Sequence, residues 1–215
     1  MMKKNGLVFI LVALIVNVGW AQKDPKALAV LDAMSAKYQN IVAFKAKLVY
    51  KLENSAEKLN ETFRGEITVM GEKYRLKIGE QEIINNGTTI WTYLREVNEV
   101  NIDNYYPEDD PMAPSKIYTI YQEGYKYSFV EEKKRKRRIV QIIDLVPDNK
   151  DEPFYKIRLT IDKVDKTLVN YKVFDKNGNR YLWSVSDFDS DIKLTASHFE
   201  FDPSKYKDVE IIDLR

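Results

Sequence analysis

One stretch of the chain decides the fold, and it is the run FKAKLVYKLE at residues 44–53. Apolar side chains occupy every second position of this run from Phe44 to Leu52, and three lysines lie among the intervening residues. Successive side chains of a strand point to opposite faces of the sheet, so such a run buries one face and exposes the other. The pattern therefore predicts an antiparallel strand that packs on a core with one side only.

The same alternation recurs through the rest of the chain at spacings near ten residues. Turn signals separate several of the runs, among them Gly71-Glu72, Asn86-Gly87 and Asn177-Gly178. We count about eleven strands, and we expect the last two at residues 194–201 and 209–212. Short strands at such regular spacing are typical of an antiparallel sandwich or barrel.

Two segments have a helical pattern instead. The first begins at Asp24-Pro25, a side-chain N-cap followed by a proline in the first turn, and ends near Gln39-Asn40. Its apolar residues at helical spacing are Ala27, Leu28, Leu31, Met34, Ala36 and Tyr38. The second follows a proline-rich, acidic break at 104–114, where Ser115 is expected to cap a short helix that ends at Gly124. Its apolar stripe consists of Ile117, Tyr118, Ile120 and Tyr121.

Composition excludes much of enzyme chemistry. The 215 residues contain no cysteine and one histidine, His198, so thiol catalysis, disulfides and sites with several histidine ligands are excluded. No nucleophile-elbow or phosphate-loop motif occurs, and the acidic run 187–191 lacks the glycine and glutamate of a calcium loop. A net charge of +1 does not favour nucleic-acid binding. We expect no enzymatic activity, no metal and no cofactor.

The N-terminus has the pattern of a secretory signal peptide. Lys3 and Lys4 precede an apolar run at 7–18, and residues 19–21 place small side chains at the −3 and −1 positions of a cleavage site. We expect a signal peptide at 1–21 and a single soluble, exported domain at 22–215. The alternative is an uncleaved N-terminal anchor, for which the run is short.

A run of six basic residues follows the expected seventh strand. It consists of Lys133, Lys134, Arg135, Lys136, Arg137 and Arg138. Two interpretations remain open for it: a solvated hairpin end, or a docking patch for anionic lipid or an acidic partner at a membrane surface.

The apolar positions outnumber those that one sheet with two short helices can hide. An antiparallel sheet of this length curls, and its concave face needs a cover. A curved sheet with a movable helical cover is a physical solution for holding an acyl chain, because each buried methylene contributes about 0.8 kcal/mol.

Several motifs, taken in order, carry a resemblance to a known family. The first half reads FRGEITV at 63–69, KYRL at 73–76, NGTTIWTY at 86–93 and NEV at 98–100. The second half reads LTI at 159–161, VFDKNG at 173–178 and FEFDP at 199–203. Together they resemble the periplasmic outer-membrane lipoprotein carrier family, LolA, over essentially the whole mature chain.

The resemblance implies a mainly β fold: an unclosed, strongly curved antiparallel half-barrel covered by an N-terminal helix and a short mid-chain helix. It implies a monomeric periplasmic chaperone that encloses the acyl chains of lipoproteins and carries them from the inner to the outer membrane. Implied partners are acylated lipoproteins as cargo, an inner-membrane lipoprotein-releasing transporter and an outer-membrane acceptor. A second hypothesis is a lipid-sensing or regulatory module of the same fold that signals to a membrane partner.

The resemblance also directs attention to particular residues. The lid would be the N-terminal helix together with residues 115–122. Many family members have a basic residue before a proline where this chain has Met70-Gly71, and that arginine ties the lid to the sheet. Arg64 and Arg75 are the candidates to replace this latch here. The expected groove and lid residues are Leu28, Leu31, Met34, Trp91, Tyr93, Ile117, Tyr118, Ile120 and Tyr121. Strand parity around Trp91 is open, since Ile90 and Thr92 are the alternative inward pair.

Overall fold

A computed structural model describes residues 23–107, 113–114 and 116–215, and its main element is one twelve-stranded sheet. The expected signal peptide at 1–21, the acidic residues 108–110 and the expected cap Ser115 lie outside the described residues. The strands are β1 (Ala43–Asn54), β2 (Leu59–Met70), β3 (Lys73–Ile78), β4 (Gln81–Asn85), β5 (Thr89–Leu94), β6 (Glu99–Asn104), β7 (Tyr125–Arg135), β8 (Arg138–Pro147), β9 (Phe154–Asp162), β10 (Leu168–Asp175), β11 (Arg180–Asp189) and β12 (Glu210–Asp213).

The sheet consists of two meanders joined at its centre. Strands β1 to β6 form one antiparallel meander and β7 to β11 form the other, and β1 pairs with β11 to join them. The two outermost strands, β12 and β7, do not pair with each other, so the curved sheet remains open. The structure thus confirms the prediction of an unclosed antiparallel half-barrel.

The long helix of the described residues, α1 (Pro25–Gln39), has the predicted position and length. Its N-cap is Asp24, whose side chain accepts hydrogen bonds from the backbone N–H groups of Lys26 and Ala27. Leu31 and Met34 are fully buried in a cluster with residues of β7 to β10. The helix therefore covers the concave face on the β7 side of the sheet. Among the described residues, no helix is long and apolar enough to cross a membrane.

The mid-chain lid segment is less helical than predicted. Residues 116–119 form turns, and they lead into a 3₁₀ helix of only one turn, Ile120–Gln122. Such a short segment gains little from helical hydrogen bonds and takes its shape from packing, because Ile117, Ile120 and Tyr121 are all buried.

The predicted strand at 194–201 is wrong. This segment contains a 3₁₀ helix, Ala196–Phe199, and a second one, Pro203–Lys205, follows it. Its large apolar residues do not keep a strict period of two, and Phe199 becomes fully buried through the turn. The last strand, β12, exists but pairs in parallel with β6, which brings the strand count to twelve.

Gly65 allows two strands to approach closely. In the register it lies between Leu48 of β1 and Ile78 of β3. A Cβ atom added at this position would lie 1.9 Å from the backbone carbonyl oxygen of Lys77. Backbone cannot withdraw from such a contact as a flexible side chain can, so only glycine fits here.

We expect Gly65→Ala to lower the free energy of unfolding by about 1–3 kcal/mol, the usual range for overpacking. Thr62→Ala, at an exposed position of the same strand, is the control and should change it by no more than about 0.5 kcal/mol. Urea denaturation followed by circular dichroism measures both. Equal effects of the two substitutions would contradict the close-approach account.

Candidate functional site

A cavity of about 400 Å³ lies on the concave face, between the lid and the half of the sheet that the helix does not cover. Apart from five tyrosines and the amide of Gln81, the described residues of its walls are apolar, and none of them carries a charge. The lining residues are Tyr38, Phe44, Ala46, Leu48, Tyr50, Ile67, Tyr74, Leu76, Ile78, Gln81, Ile83, Pro114, Ile117, Tyr118, Leu168, Tyr171, Trp183 and Val185.

Strand register explains why this wall is apolar. Residues directly opposite each other on paired strands project from the same face of a sheet. Ala46 is paired with Ile67, Ile67 with Leu76, and Leu76 with Ile83, so one apolar row crosses β1 to β4. The alternation that predicts the strands therefore also builds the cavity wall.

A row of aromatic rings crosses the cavity floor over four neighbouring strands. Ring centroids are 6.2 Å apart between Tyr171 and Trp183, 4.5 Å apart between Trp183 and Tyr50, and 6.0 Å apart between Tyr50 and Phe63. The row leads from beneath the lid to Phe63, which is 38% exposed.

The groove continues beyond this aromatic row into a second cavity of about 640 Å³, and Tyr50, Ile78 and Gln81 line both cavities. Charged residues, including Glu80 and Arg95, line the second cavity, and Val97 on its edge is 64% exposed. One end of the groove is thus apolar and lies beneath the lid, whereas the other end, the open end, has polar edges and opens to solvent.

The roof of the apolar end is held by contacts between α1 and the mid-chain segment. The rings of Tyr38 and Tyr118 stack with centroids 4.8 Å apart and planes 4° apart. The Tyr121 hydroxyl donates a 2.6 Å hydrogen bond to the Asp32 carboxylate on the helix. Burial raises the pKa of Tyr38 to about 12, so its hydroxyl remains neutral while it accepts a 3.1 Å hydrogen bond from the Leu168 backbone N–H.

The beginning of the helix is pinned to the edge strand β7. Lys23 forms a parallel β-bridge with Tyr127, and the Asp24 backbone N–H donates to the Tyr127 carbonyl oxygen at 3.2 Å. The Asp24 carboxylate caps the helix and also accepts a 2.8 Å hydrogen bond from the Phe129 backbone N–H. This last bond is the main cause of the lowered pKa of Asp24, followed by burial, which opposes it, and by the two capping hydrogen bonds.

Of the predicted lid residues, Ile117 and Tyr118 line the cavity. Leu31, Met34, Ile120 and Tyr121 are buried in the cluster beneath the helix, and Leu28 packs against that cluster. These five residues hold the lid on the sheet but do not line the cavity.

The structure places Trp91 and Tyr93 on the outer face of the sheet, which corrects their assignment to the groove. Thr92 is paired with the cavity-lining Ile83, whereas Trp91 is paired with Ile84 on the opposite face. The outer face is covered here by the C-terminal segment, whose Tyr206 contacts the Tyr93 ring with centroids 4.7 Å apart. The inward residues of β5 are Ile90 and Thr92, the alternative pair.

The two candidate latch arginines also lie on the outer face, away from the lid. Arg64 is exposed, and its paired residue Val49 belongs to the row that faces outward. Arg75 bonds Glu82 at 2.6 Å, the backbone carbonyl oxygen of His198 at 3.0 Å and the hydroxyl of Tyr206 at 3.2 Å. Arg75 therefore clamps the C-terminal segment and does not hold the lid.

His198 has a structural position on the same outer face. Its ring lies 2.7 Å from the Thr68 hydroxyl, and burial, with the nearby charges of Arg75 and Lys77, lowers its pKa. Across residues 23–107, 113–114 and 116–215, no three His, Asp or Glu side chains are grouped so that they could hold a metal ion.

The predicted basic patch lies at the tip of the β7–β8 hairpin, and all six of its residues are exposed. The site residues that sequence reasoning missed come mainly from β1 to β4, such as Leu48, and the rest include Tyr171 of β10 and Trp183 of β11. The alternation within each of these strands marks a buried face. It gives no signal, however, that β1 and β11 are neighbours, because their pairing joins residues more than a hundred positions apart.

Comparison with known proteins is consistent with this geometry. Residues 18–175 match the family model described as outer membrane lipoprotein carrier protein LolA. The chain belongs to the LolA family. No curated protein sequence matches it.

Three solved structures resemble this chain at low sequence identity. An uncharacterized conserved protein from Thermus thermophilus is 14% identical, with a TM-score of 0.58 over 87% of this chain and 99% of that one. A putative outer membrane lipoprotein-sorting protein domain from Vibrio parahaemolyticus is 13% identical, with a TM-score of 0.46 over 81% and 96%. A LolA superfamily protein from Nitrosomonas europaea is 10% identical, with a TM-score of 0.45 over 81% and 97%.

Tyr38→Phe tests the roof, because it removes the acceptor for the buried Leu168 N–H and keeps the stacked ring. We expect the free energy of unfolding to fall by about 1–3 kcal/mol, the cost of an unsatisfied buried donor. Tyr118→Phe is the matched control, since no other described residue hydrogen-bonds to the Tyr118 hydroxyl. Urea denaturation of both variants measures the difference, and a loss confined to Tyr118→Phe would contradict the assignment.

Asp24→Ala tests the pin at the start of the lid. We expect it to lower the free energy of unfolding by about 1–2 kcal/mol at neutral pH, as for other N-cap deletions. Asp24→Asn retains one acceptor oxygen and should have an intermediate effect.

The Asp24 carboxylate also makes the stability that this contact contributes depend on pH. Folding lowers the pKa of the Asp24 carboxyl, so the carboxylate stabilises the folded protein fully at pH values above its ordinary pKa of 3.8. That stabilisation is lost as the pH falls through the lowered pKa. The difference between the wild-type protein and Asp24→Ala should therefore shrink in acid. Denaturation series at several pH values measure it, and a difference that grows in acid would refute the pin.

Proposed function

We propose that the protein is a non-catalytic periplasmic carrier that encloses the acyl chains of lipoproteins in its concave groove and takes them from the inner to the outer membrane. The observation that carries this proposal is the uncharged cavity between Tyr38 and Tyr118 in the roof and the apolar rows of β1 to β4. Membership of the LolA family supports lipoproteins as the class of cargo.

The chemistry of the two ends of the groove suits an amphiphile. A volume of about 400 Å³ falls within the usual range for ligand sites, about 300–1,000 Å³. Burying an acyl chain contributes about 0.8 kcal/mol for each methylene, whereas none of the described lining residues would compensate a charged headgroup. The polar part of the cargo is expected at the open end, where Arg95 and Glu80 lie 3.7 Å apart.

Release requires that the roof can yield. The described residues of the mid-chain segment pack on the helix through the stack of Tyr118 on Tyr38, the hydrogen bond between Tyr121 and Asp32, and apolar contacts. Cargo and the lid compete for the same apolar wall, so binding and lid closure are linked equilibria. A partner that favours one lid position would then load or unload the carrier.

Val185→Trp tests the groove by filling it. Val185 lines the cavity, and Val49→Trp is its matched control because Val49 is half-buried on the opposite face. We expect Val185→Trp to weaken binding of a synthetic tripalmitoylated lipopeptide about tenfold or more, equivalent to losing the burial of roughly two methylenes. Val49→Trp should bind like the wild-type protein, and titration calorimetry measures all three.

Equal affinities for the two tryptophan variants would contradict the groove assignment. The shuttle itself is tested by release of a lipoprotein from inner-membrane vesicles, which the wild-type protein should promote and Val185→Trp should not. If lipopeptide binds the groove but no lipoprotein is released, and the protein instead forms a stable complex with a membrane signalling protein, the sensor hypothesis replaces the carrier.

A further inference from the structure

A concentration of positive charge stands at the end of the β7–β8 hairpin. The chain turns at Lys136, with φ of 54°, and Arg137, and all six residues from Lys133 to Arg138 are exposed. The hairpin continues past the last residue pair between β8 and β9, which joins Val140 and Asp162. The basic side chains therefore project beyond the end of the neighbouring strand.

The middle four residues of this run form no ion pair with any described residue. Lys133 pairs with Glu131, and Arg138 lies 3.9 Å from Asp162. Among the described residues, no carboxylate lies within 4.0 Å of the four in between. We call these four the basic tip: Lys134, Arg135, Lys136 and Arg137.

Two exposed aliphatic side chains accompany the basic tip. Ile139 is 42% exposed, directly after the run, and Val164 is 77% exposed in the turn between β9 and β10. The Lys163 backbone N–H donates a 2.9 Å hydrogen bond to the Ile139 carbonyl oxygen, which holds this turn against the hairpin. The surface thus combines unpaired cations with aliphatic groups, the combination that suits a membrane interface.

We propose that the basic tip docks the protein on membranes that contain anionic phospholipid, with Ile139 and Val164 entering the interface. The biological use of this docking, bringing the groove to the surface where cargo is exchanged, rests on the proposed carrier function. An overall charge near zero means that attraction is local, so the hairpin also orients the molecule on the surface.

A lipid surface fits these features better than an acidic protein. The four cations lie around a hairpin turn, are all exposed and make no hydrogen bond to another described side chain, so nothing fixes them in the geometry of a specific interface. Lysines and arginines around a turn suit a fluid layer of lipid headgroups, because each side chain there contributes independently to the binding free energy.

The test is co-sedimentation with vesicles of equimolar phosphatidylglycerol and phosphatidylcholine, compared with phosphatidylcholine alone. The tip variant is Lys134→Gln, Arg135→Gln, Lys136→Asn and Arg137→Gln, in which Asn suits the positive φ of Lys136. The control variant is Lys37→Gln, Lys58→Asn, Lys193→Gln and Lys207→Gln, which removes four exposed charges elsewhere, one of them also at a positive φ of 55°.

We expect the wild-type protein to bind the anionic vesicles and to lose binding as salt is raised. The tip variant should lose about fivefold in partition coefficient for each charge removed, and the control variant should stay within about twofold of the wild type. Ile139→Ser with Val164→Ser should abolish the part of the binding that remains at high salt.

The proposal is overturned if the wild-type protein does not distinguish the two vesicles, or if the tip and control variants lose binding equally. It is also overturned if the wild-type protein ignores the vesicles but binds polyglutamate through the basic tip, since an acidic protein is then the partner.

Lipopeptide binding, measured on the same variants, separates this proposal from the proposed function. The tip variant should keep its groove affinity. Vesicle docking without lipopeptide binding would refute the carrier and leave the docking surface. Lipopeptide binding without vesicle docking would refute the docking surface and leave the proposed carrier.

Discussion

The structure depends on a mismatch between an apolar concave face and a cover that is too small for it. A helix of 15 residues is about 22 Å long, and α1 crosses only the β7 side of a sheet with twelve strands. The apolar residues accordingly form two clusters, one under the helix and one on β1 to β4. The second cluster faces a cavity, and the site, the lid and the proposed cargo all follow from that arrangement.

The two faces of the sheet are stabilised in different ways. On the outer face, Arg75, Glu82 and Tyr206 form a connected polar network that clamps the C-terminal segment. On the concave face, the lid is held by separate contacts, such as the bond from Phe129 to Asp24 before α1 and the bond from Tyr121 to Asp32 between the mid-chain segment and the helix. This division gives the groove a firm outer wall and a cover whose contacts can break one at a time.

Local features of the fold could be predicted from the sequence, and non-local ones could not. The N-cap at Asp24, the end of α1 and the hairpin at Asn86-Gly87 depend on neighbouring residues, and all three were predicted. The sequence does not show which residues of β5 face the cavity, because alternation shows that the two faces of a strand differ but not which face lies beneath the lid. Trp91 was the more obvious groove residue by size, and the C-terminal segment that covers its face was itself predicted as a strand. The cavity residue Trp183 lies opposite Tyr50 only because two distant meanders join.

The most direct test of the central claim is a crystal structure of the protein with a lipopeptide whose acyl chains carry bromine, located by anomalous scattering. The account predicts bromine between the Tyr38–Tyr118 roof and the wall formed by Leu48, Leu76 and Trp183, with the peptide portion at the open end near Arg95. Bromine found only on the outer face of the sheet, with the Tyr38–Tyr118 roof unchanged, would contradict it.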